Sequence, residues 1–394
     1  MKFTIWHDND YDFALWVYEN SELKNKEDVI IRPIPRDNSS DTLLKIVKNK
    51  DDSAILPVIK YESPDIIIQK TTEDTNEILL VTEFMTHTPQ WHHPAQRFTR
   101  IYGASNLKIP CALVIAKNMI KYEREKKSNK YRKTPYSLSP ITPISFYKTR
   151  KVNATPTLLF FWPTNEFHKI DPKRPSAPRN IEDTKNWLKF LDACLESDEE
   201  KIKKIQEEHD KKLLKYMKTK SGYESITSMD EAKPERENYA ELLHGPIKVK
   251  NQKGFQKISD DEIKDEGYKF APGGLSPSTS YFRTDPYAGM LSVYDMVFCR
   301  NTKGEKEFNL ILEAKNVELS KLMETGTFIN TKDHSKDNCP FENFTILESL
   351  EFNEIKKHIK KGNCPFTSTK QQRIYAQIAD LIIFDDEKYV GDEK

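Results

Sequence analysis

The chain of 394 residues carries 62 Lys+Arg and 61 Asp+Glu, a formal net charge of +1, with 37% hydrophobic, 31% charged and 11% aromatic residues. At about 100–200 residues per domain this length predicts two domains or three, and the aromatic content supplies enough buried area to exclude wholesale disorder. A balanced charge speaks against a nucleic-acid binder until its distribution along the chain is taken into account.

The start, MKFTIWHDNDYDF, has no basic region followed by an apolar run, so no signal peptide is read. The most apolar stretch, Leu158 to Trp162, is far too short to span a bilayer. Five scattered cysteines (Cys111, Cys194, Cys299, Cys339, Cys364) suit free thiols in a reducing cytosol, so a cytoplasmic protein with no membrane partner is expected.

In chain order, the first 120 residues alternate strand and helix signals. DIIIQ at 65–69 and EILLVTEF at 77–84 read as paired strands, Pro94 to Ser105 as a helix, and CALVIAK at 111–117 as a central strand. Residues 118–156, rich in proline and bases, predict an extended insertion or loop. TLLFFWP at 157–163 returns to strand and 164–180 to loop. From Asn180 the spacing of Leu188, Leu191, Leu195, Ile202 and Ile205 predicts amphipathic helices, and 218–238 reads as a linker. A second α/β unit follows. MLSVYDMVFCR (290–300) and FNLILEAKN (308–316) read as a hairpin, 317–367 as a polar insertion, 370–380 as a helix and LIIF (381–384) as a strand. The expected organisation is 1–180, a charged helical connector and linker at 181–238, and 239–394.

The chemistry-bearing pattern is Asp295 on one predicted strand and Glu313-Ala314-Lys315 on the next. Alternation puts Glu313 and Lys315 on one face, and hairpin pairing would bring Asp295 beside them. Two neighbouring carboxylates make a Mg²⁺ or Mn²⁺ site, and a lysine can orient the attacking water and offset charge on a phosphorane-like transition state. Acid-x-Lys triplets are common by chance, so the weight lies on the apolar strands around them, where an unpaired charge is costly. The bland alternative is an ion pair on a solvated sheet face.

This pattern resembles the PD-(D/E)XK nuclease superfamily, the restriction-endonuclease-like fold. Asp295 matches the first acidic position, with Tyr294 in place of proline, and Glu313 to Lys315 match E-x-K. Gln371 to Tyr375 matches the Q-x-x-x-Y helix motif of one branch. The resemblance covers roughly 285–385 and implies catalytic Asp295, Glu313, Lys315 and Gln371. An insertion of about fifty residues separates Lys315 from Gln371, a departure from the family pattern.

A second copy is read in the first domain. Pro64-Asp65 matches P-D, Glu83 follows on the next strand, and Gln96-Arg97-Phe98 opens a helix. Met85 stands where the lysine belongs. This copy is therefore expected to be noncatalytic or weakly catalytic, with Asp65 and Glu83 kept as metal candidates. Arg97, Arg100, His87, His92 and His93 are candidates for the missing group.

A Cys₂His₂ zinc set (His334, Cys339, His358, Cys364) lacks the usual closely spaced cysteine pair, and buried thiols in two turns are the expectation. No P-loop is present, so energy-dependent translocation is not encoded in this sequence.

The fold class expected is α/β (α+β), with two restriction-endonuclease-like domains, each a mixed central sheet flanked by helices. The function expected is a Mg²⁺- or Mn²⁺-dependent DNA endonuclease of restriction or defence type. The alternative is a non-catalytic nucleic-acid- or partner-binding module with relic sites. Duplex DNA is the implied partner, and a homodimer is an open alternative for the assembly. The charge now reads differently. Residues 101–180 hold 16 Lys+Arg against 4 Asp+Glu, and the rest of the chain is correspondingly acidic. Lys121, Arg124, Lys126, Lys127, Lys130, Arg132 and Lys133, with Arg97 and Arg100, are the expected DNA contacts, and tyrosines are interleaved among the bases.

Overall fold

The computed structural model describes residues 1–35, 53–85, 92–124, 131–162, 182–234, 248–250, 270–276, 285–301, 303–305, 308–313, 343–348, 377–383 and 388–390. They fall into two units, one formed by 1–37 and 43–233, the other by 38–42 and 234–394. Both are mixed α/β.

The first unit contains β1 (Lys2–His7), α1 (Tyr11–Asn20), β2 (Val29–Pro33), α2 (Leu56–Tyr61), β3 (Ile66–Thr71), β4 (Asn76–Met85), α3 (His92–Asn106) and β5 (Cys111–Ala116). It continues through β6 (Asn118–Arg124), β7 (Tyr131–Ser137), α4 (Ile141–Asn153), β8 (Thr157–Trp162), α5 (Glu182–Glu196) and α6 (Glu199–Met217). Six strands form a sheet in the order β2-β1-β3-β4-β5-β8. β1, β3 and β4 run antiparallel in turn, and β4, β5 and β8 are parallel. The parallel strands are apolar runs, as strands buried on both faces must be.

Alternation along β4 divides the two faces. Thr82 and Phe84 turn to α5, where the Trp187 indole donates to Thr82 Oγ1 at 3.1 Å and packs edge-on to Phe84 at 4.8 Å. Phe3, Ile5, Ile68, Val114 and Phe160 join this core with Phe13 and Val17 of α1. Glu83, between them, turns to α3. The chain reverses into α1 at Asp10, whose Oδ1 accepts the Phe13 amide at 2.9 Å as an N-cap. On the other side α3 passes close to α2, so that a Cβ built on Gly103 would lie 2.5 Å from Tyr61 Cγ.

At the outer edge of this sheet β8 is covered by α6. His209 Nε2 accepts the Leu159 amide at 2.7 Å, and Nδ1 lies 3.4 Å from Asp210 Oδ1. The imidazole is therefore neutral with its proton on Nδ1, and burial lowers its pKa from the ordinary value. Residues past α6 remain in this unit, with Ile226, Met229 and Ala232 buried around a short 3₁₀ turn at Met229–Glu231.

One expectation for the first unit needs correction. Residues 118–156 are not an irregular insertion. They form a separate two-stranded antiparallel ribbon, β6–β7, followed by α4. The dense charges mask the period-two pattern, and Pro143 sits in the first turn of α4, where it leaves no helical hydrogen bond unmade.

The second unit contains β9 (Lys248–Lys250), β10 (Phe270–Ser276), α7 (Asp285–Phe298), β11 (Phe308–Glu313), β12 (Asn343–Glu348), β13 (Leu381–Ile383) and β14 (Lys388–Val390). Its sheet order is β14-β13-β11-β12-β10-β9, with β11 and β13 parallel and the other neighbours antiparallel. The Asp380 amide donates to the Leu310 carbonyl and its Oδ2 accepts the Leu310 amide, both at 2.8 Å, which ties β13 to β11.

Here the expected hairpin is overturned. Residues 290–298 lie within a helix and run to its end, and in it Ser292 Oγ bonds the Ala288 carbonyl one turn back. Met290, Leu291, Val293, Tyr294, Met296 and Val297 are all buried, and a helix apolar on every side has no period to distinguish it from a buried strand. The antiparallel neighbour of β11 is instead β12, which lies within the span expected to be only a polar insertion. Among the described residues no helix is long and apolar enough to cross a membrane.

Candidate functional site: a buried acid–arginine cluster

Asp65 ends the approach to β3 and Glu83 lies near the end of the antiparallel β4, with Ile66 in register with Thr82. The two acids lock reciprocally. Glu83 Oε2 accepts the Asp65 amide at 3.1 Å, and Asp65 Oδ2 accepts the Phe84 amide at 2.7 Å. From α3, Arg97 and Arg100 reach the same carboxylate, being three residues apart on one helical face. Arg97 Nη1 lies 2.9 Å and Arg100 Nη1 2.8 Å from Glu83 Oε1. Arg100 is further held by Glu62 Oε1 at 2.8 Å and by the Ser63 carbonyl at 2.7 Å.

Burial governs the electrostatics. Glu83 is fully inaccessible, and loss of hydration pushes its carboxyl up to about 7, against the pull of Arg100 and Arg97. Asp65 is raised for the same first reason, with both arginines again opposing. The two guanidinium groups differ in access. The Arg100 side chain is 7% exposed and Arg97 23%, so only Arg97 can meet a ligand without rearrangement.

A divalent ion such as Mg²⁺ takes oxygen ligands and retains waters. At this site Glu83 Oε1 receives two cationic nitrogens, and each acid also accepts a backbone amide. A metal cation would meet repulsion from both arginines at the ligand oxygen itself. The cluster in this arrangement does not fit Mg²⁺ or Mn²⁺. Among the described residues no group of three or more His, Cys, Asp or Glu is set to hold a metal ion.

The other expected residues are distributed as follows. Met85, in place of the lysine, is buried at the end of β4. His93 is half-buried at the start of α3, while His87 and the His92 side chain lie outside the described residues. Arg100, expected at DNA, is instead an interior clamp for Glu62 and Glu83. Lys121, Arg124, Arg132 and Lys133 lie on the β6–β7 ribbon, with Glu123 opposite Arg132 and Tyr122 opposite Lys133 in register. Lys126, Lys127 and Lys130 lie outside the described residues.

In the second unit Asp295 is on α7 rather than a strand, fully buried, and its Oδ2 accepts from Arg300 Nε at 2.9 Å. Glu313 is the last residue of β11. Its side chain, Lys315 and Gln371 lie outside the described residues, as do His334, Cys339, His358 and Cys364. One correspondence links the units. Glu83 is in register with Leu113, the third residue of the parallel β5, and Glu313 with Ile383, the third residue of the parallel β13.

Glu62 was missed by sequence reasoning, although an acid directly before Ser63-Pro64-Asp65 is a signal that could have found it. The chain matches no family model, and comparisons with curated proteins and with solved structures likewise gave no match.

Proposed function

We propose that the chain is a restriction-endonuclease-like protein that hydrolyses DNA phosphodiester bonds with Mg²⁺ or Mn²⁺, in a restriction or defence setting. In this reading the second unit carries the chemistry and the first is a noncatalytic copy. The observation that supports it is the shared register of Glu83 and Glu313, each in the last three residues of a strand and opposite the third residue of a parallel neighbour. Glu313 would hold the ion and Lys315 the attacking water. When bound, the ion supplies Lewis-acid stabilisation and a more acidic water. Arg97 and Arg100, which neutralise Glu83, support assigning no metal to the first unit.

A second reading, a binding module without catalysis, is favoured by one observation. The buried acids Glu83 and Asp295 are each paired with arginine. The deciding experiment incubates the protein with plasmid, single-stranded DNA and RNA, with Mg²⁺, Mn²⁺ or EDTA, and compares Glu313→Ala, Lys315→Ala and Glu83→Ala. Metal-dependent cleavage lost in Glu313→Ala and Lys315→Ala but kept in a folded Glu83→Ala supports the nuclease. No cleavage of any substrate favours the module.

A further inference from the structure

The β6–β7 ribbon is the feature that this function does not yet explain. It stands apart from both six-stranded sheets, pairing seven residues of Asn118–Arg124 with seven of Tyr131–Ser137. Its strands carry Lys121, Arg124, Arg132 and Lys133 against one acid, Glu123. The register sets Tyr122 opposite Lys133 and Arg124 opposite Tyr131, so basic and aromatic positions pair across the ribbon.

Its placement is as informative as its charge. The chain leaves β5 at Ala116 and enters β6 two residues later, at the end of the sheet toward which parallel β4 carries Glu83. The root is fixed. The Leu138 amide donates to the Lys117 carbonyl at 2.8 Å, the Tyr216 hydroxyl to the Leu138 carbonyl at 2.6 Å, and Lys220 Nζ to Ser137 Oγ at 2.9 Å. Two strands paired in register and anchored at their base need less backbone ordering on binding than an unpaired segment.

We propose that this ribbon enters the major groove of duplex DNA and is the main duplex-gripping element of the first unit. The proposal rests on the nucleic-acid reading above but not on cleavage. Two strands about 4.8 Å apart suit a groove roughly 12 Å wide, which admits a two-stranded β-ribbon. Seven residues at about 3.4 Å each give a reach of roughly 20 Å, enough to follow the groove past several base pairs. The four strand bases supply the charge complementary to the flanking phosphates.

The test is fluorescence anisotropy of the full chain with a labelled duplex and the matching single strand, over a salt series without divalent ions. The variant Lys121→Ser/Arg124→Ser/Arg132→Ser/Lys133→Ser is expected to lose at least about tenfold in duplex affinity, and the slope of log affinity against log salt to fall by about 2–4. Methyl green, which occupies the major groove, should displace the wild type, whereas the minor-groove ligand netropsin should not.

A second variant joins Lys117 to Leu138 through a short Gly-Ser turn and tests the same loss without surface charge changes elsewhere. A charge-keeping swap of Lys for Arg and Arg for Lys at the four positions should retain binding. Wild-type affinity and slope in both loss variants, or displacement by netropsin alone, would overturn the proposal. Duplex binding that needs the ribbon, without cleavage under any metal, sinks the nuclease reading and leaves the ribbon standing. A wild type that binds no duplex overturns both.

Discussion

Arg100 and Glu83 form a buried ion pair at 2.8 Å in which neither partner can turn to water. Arg100 donates to the Ser63 carbonyl, Glu83 and Glu62, while Arg97 bonds the same Glu83 oxygen and keeps an outer edge. Removing one member of a buried pair strands the other charge, so Arg100→Ala is expected to destabilise the first unit by about 3–5 kcal/mol. Arg97→Ala, partly exposed, should cost about 1 kcal/mol or less. Urea denaturation of both variants checks the ranking, and equal losses would contradict it.

The partnership of Asp295 and Arg300 gives a test of the second unit. A structural pair predicts that Asp295→Asn lowers the melting temperature by the same amount with and without Mg²⁺. A metal ligand predicts that any Mg²⁺-dependent rise in the wild-type melting temperature disappears in the variant. The buried geometry at 2.9 Å favours the first outcome.

His209 gives the pH dependence. Its folded pKa lies below the ordinary 6.5 because burial disfavours the imidazolium, so the unfolded chain binds the proton first as pH falls. Its contribution is therefore level above about pH 6.5 and turns destabilising below it, until the lower folded value is reached. Asp210 and Arg150, which flank the ring, act in opposite directions on it. His209→Gln keeps a side-chain acceptor for the Leu159 amide and cannot titrate, so its stability should fall less than wild type between about pH 6.5 and 5. Denaturation midpoints over that range measure the difference.

Gly103 has no room for a methyl group. With a Cβ 2.5–2.7 Å from three atoms of Tyr61, Gly103→Ala is expected to destabilise by about 1–3 kcal/mol through overpacking. Tyr61→Ala in the same chain removes two of those three atoms, Cγ and Cδ2, and should recover part of the Gly103→Ala loss, and a double-mutant cycle measures the coupling.

How much of this was legible in the sequence depends on whether a segment has two distinguishable faces. The apolar runs and turn signals mark β3, β4, α3, β5 and β8, and Asp65, expected on the strand, stands one residue before β3 next to Glu83 of β4. α7 was misread because its buried residues surround it, leaving no polar stripe to mark a period. β12 was hidden because a six-residue strand inside a long polar span offers little contrast. In the candidate site the arginines were noticed, but their partners were not. Ion-pair choice depends on the approach of α3 to β4, which no spacing along the chain specifies. His209 could have been found from Ile202, Ile205, Leu213 and Tyr216, since it occupies the apolar stripe of its helix.

The closure between Lys117 and Leu138 has a bearing on how such a protein changes over time. The ribbon leaves and rejoins the unit where the Leu138 amide bonds the Lys117 carbonyl, and neither strand belongs to the six-stranded sheet. Substitution or exchange within β6 and β7 therefore leaves the strand pairing of the six-stranded sheet in place. With the ribbon as the proposed DNA-gripping element, a lineage could acquire a new target by replacing one hairpin while the strand order of the six-stranded sheet is inherited unchanged.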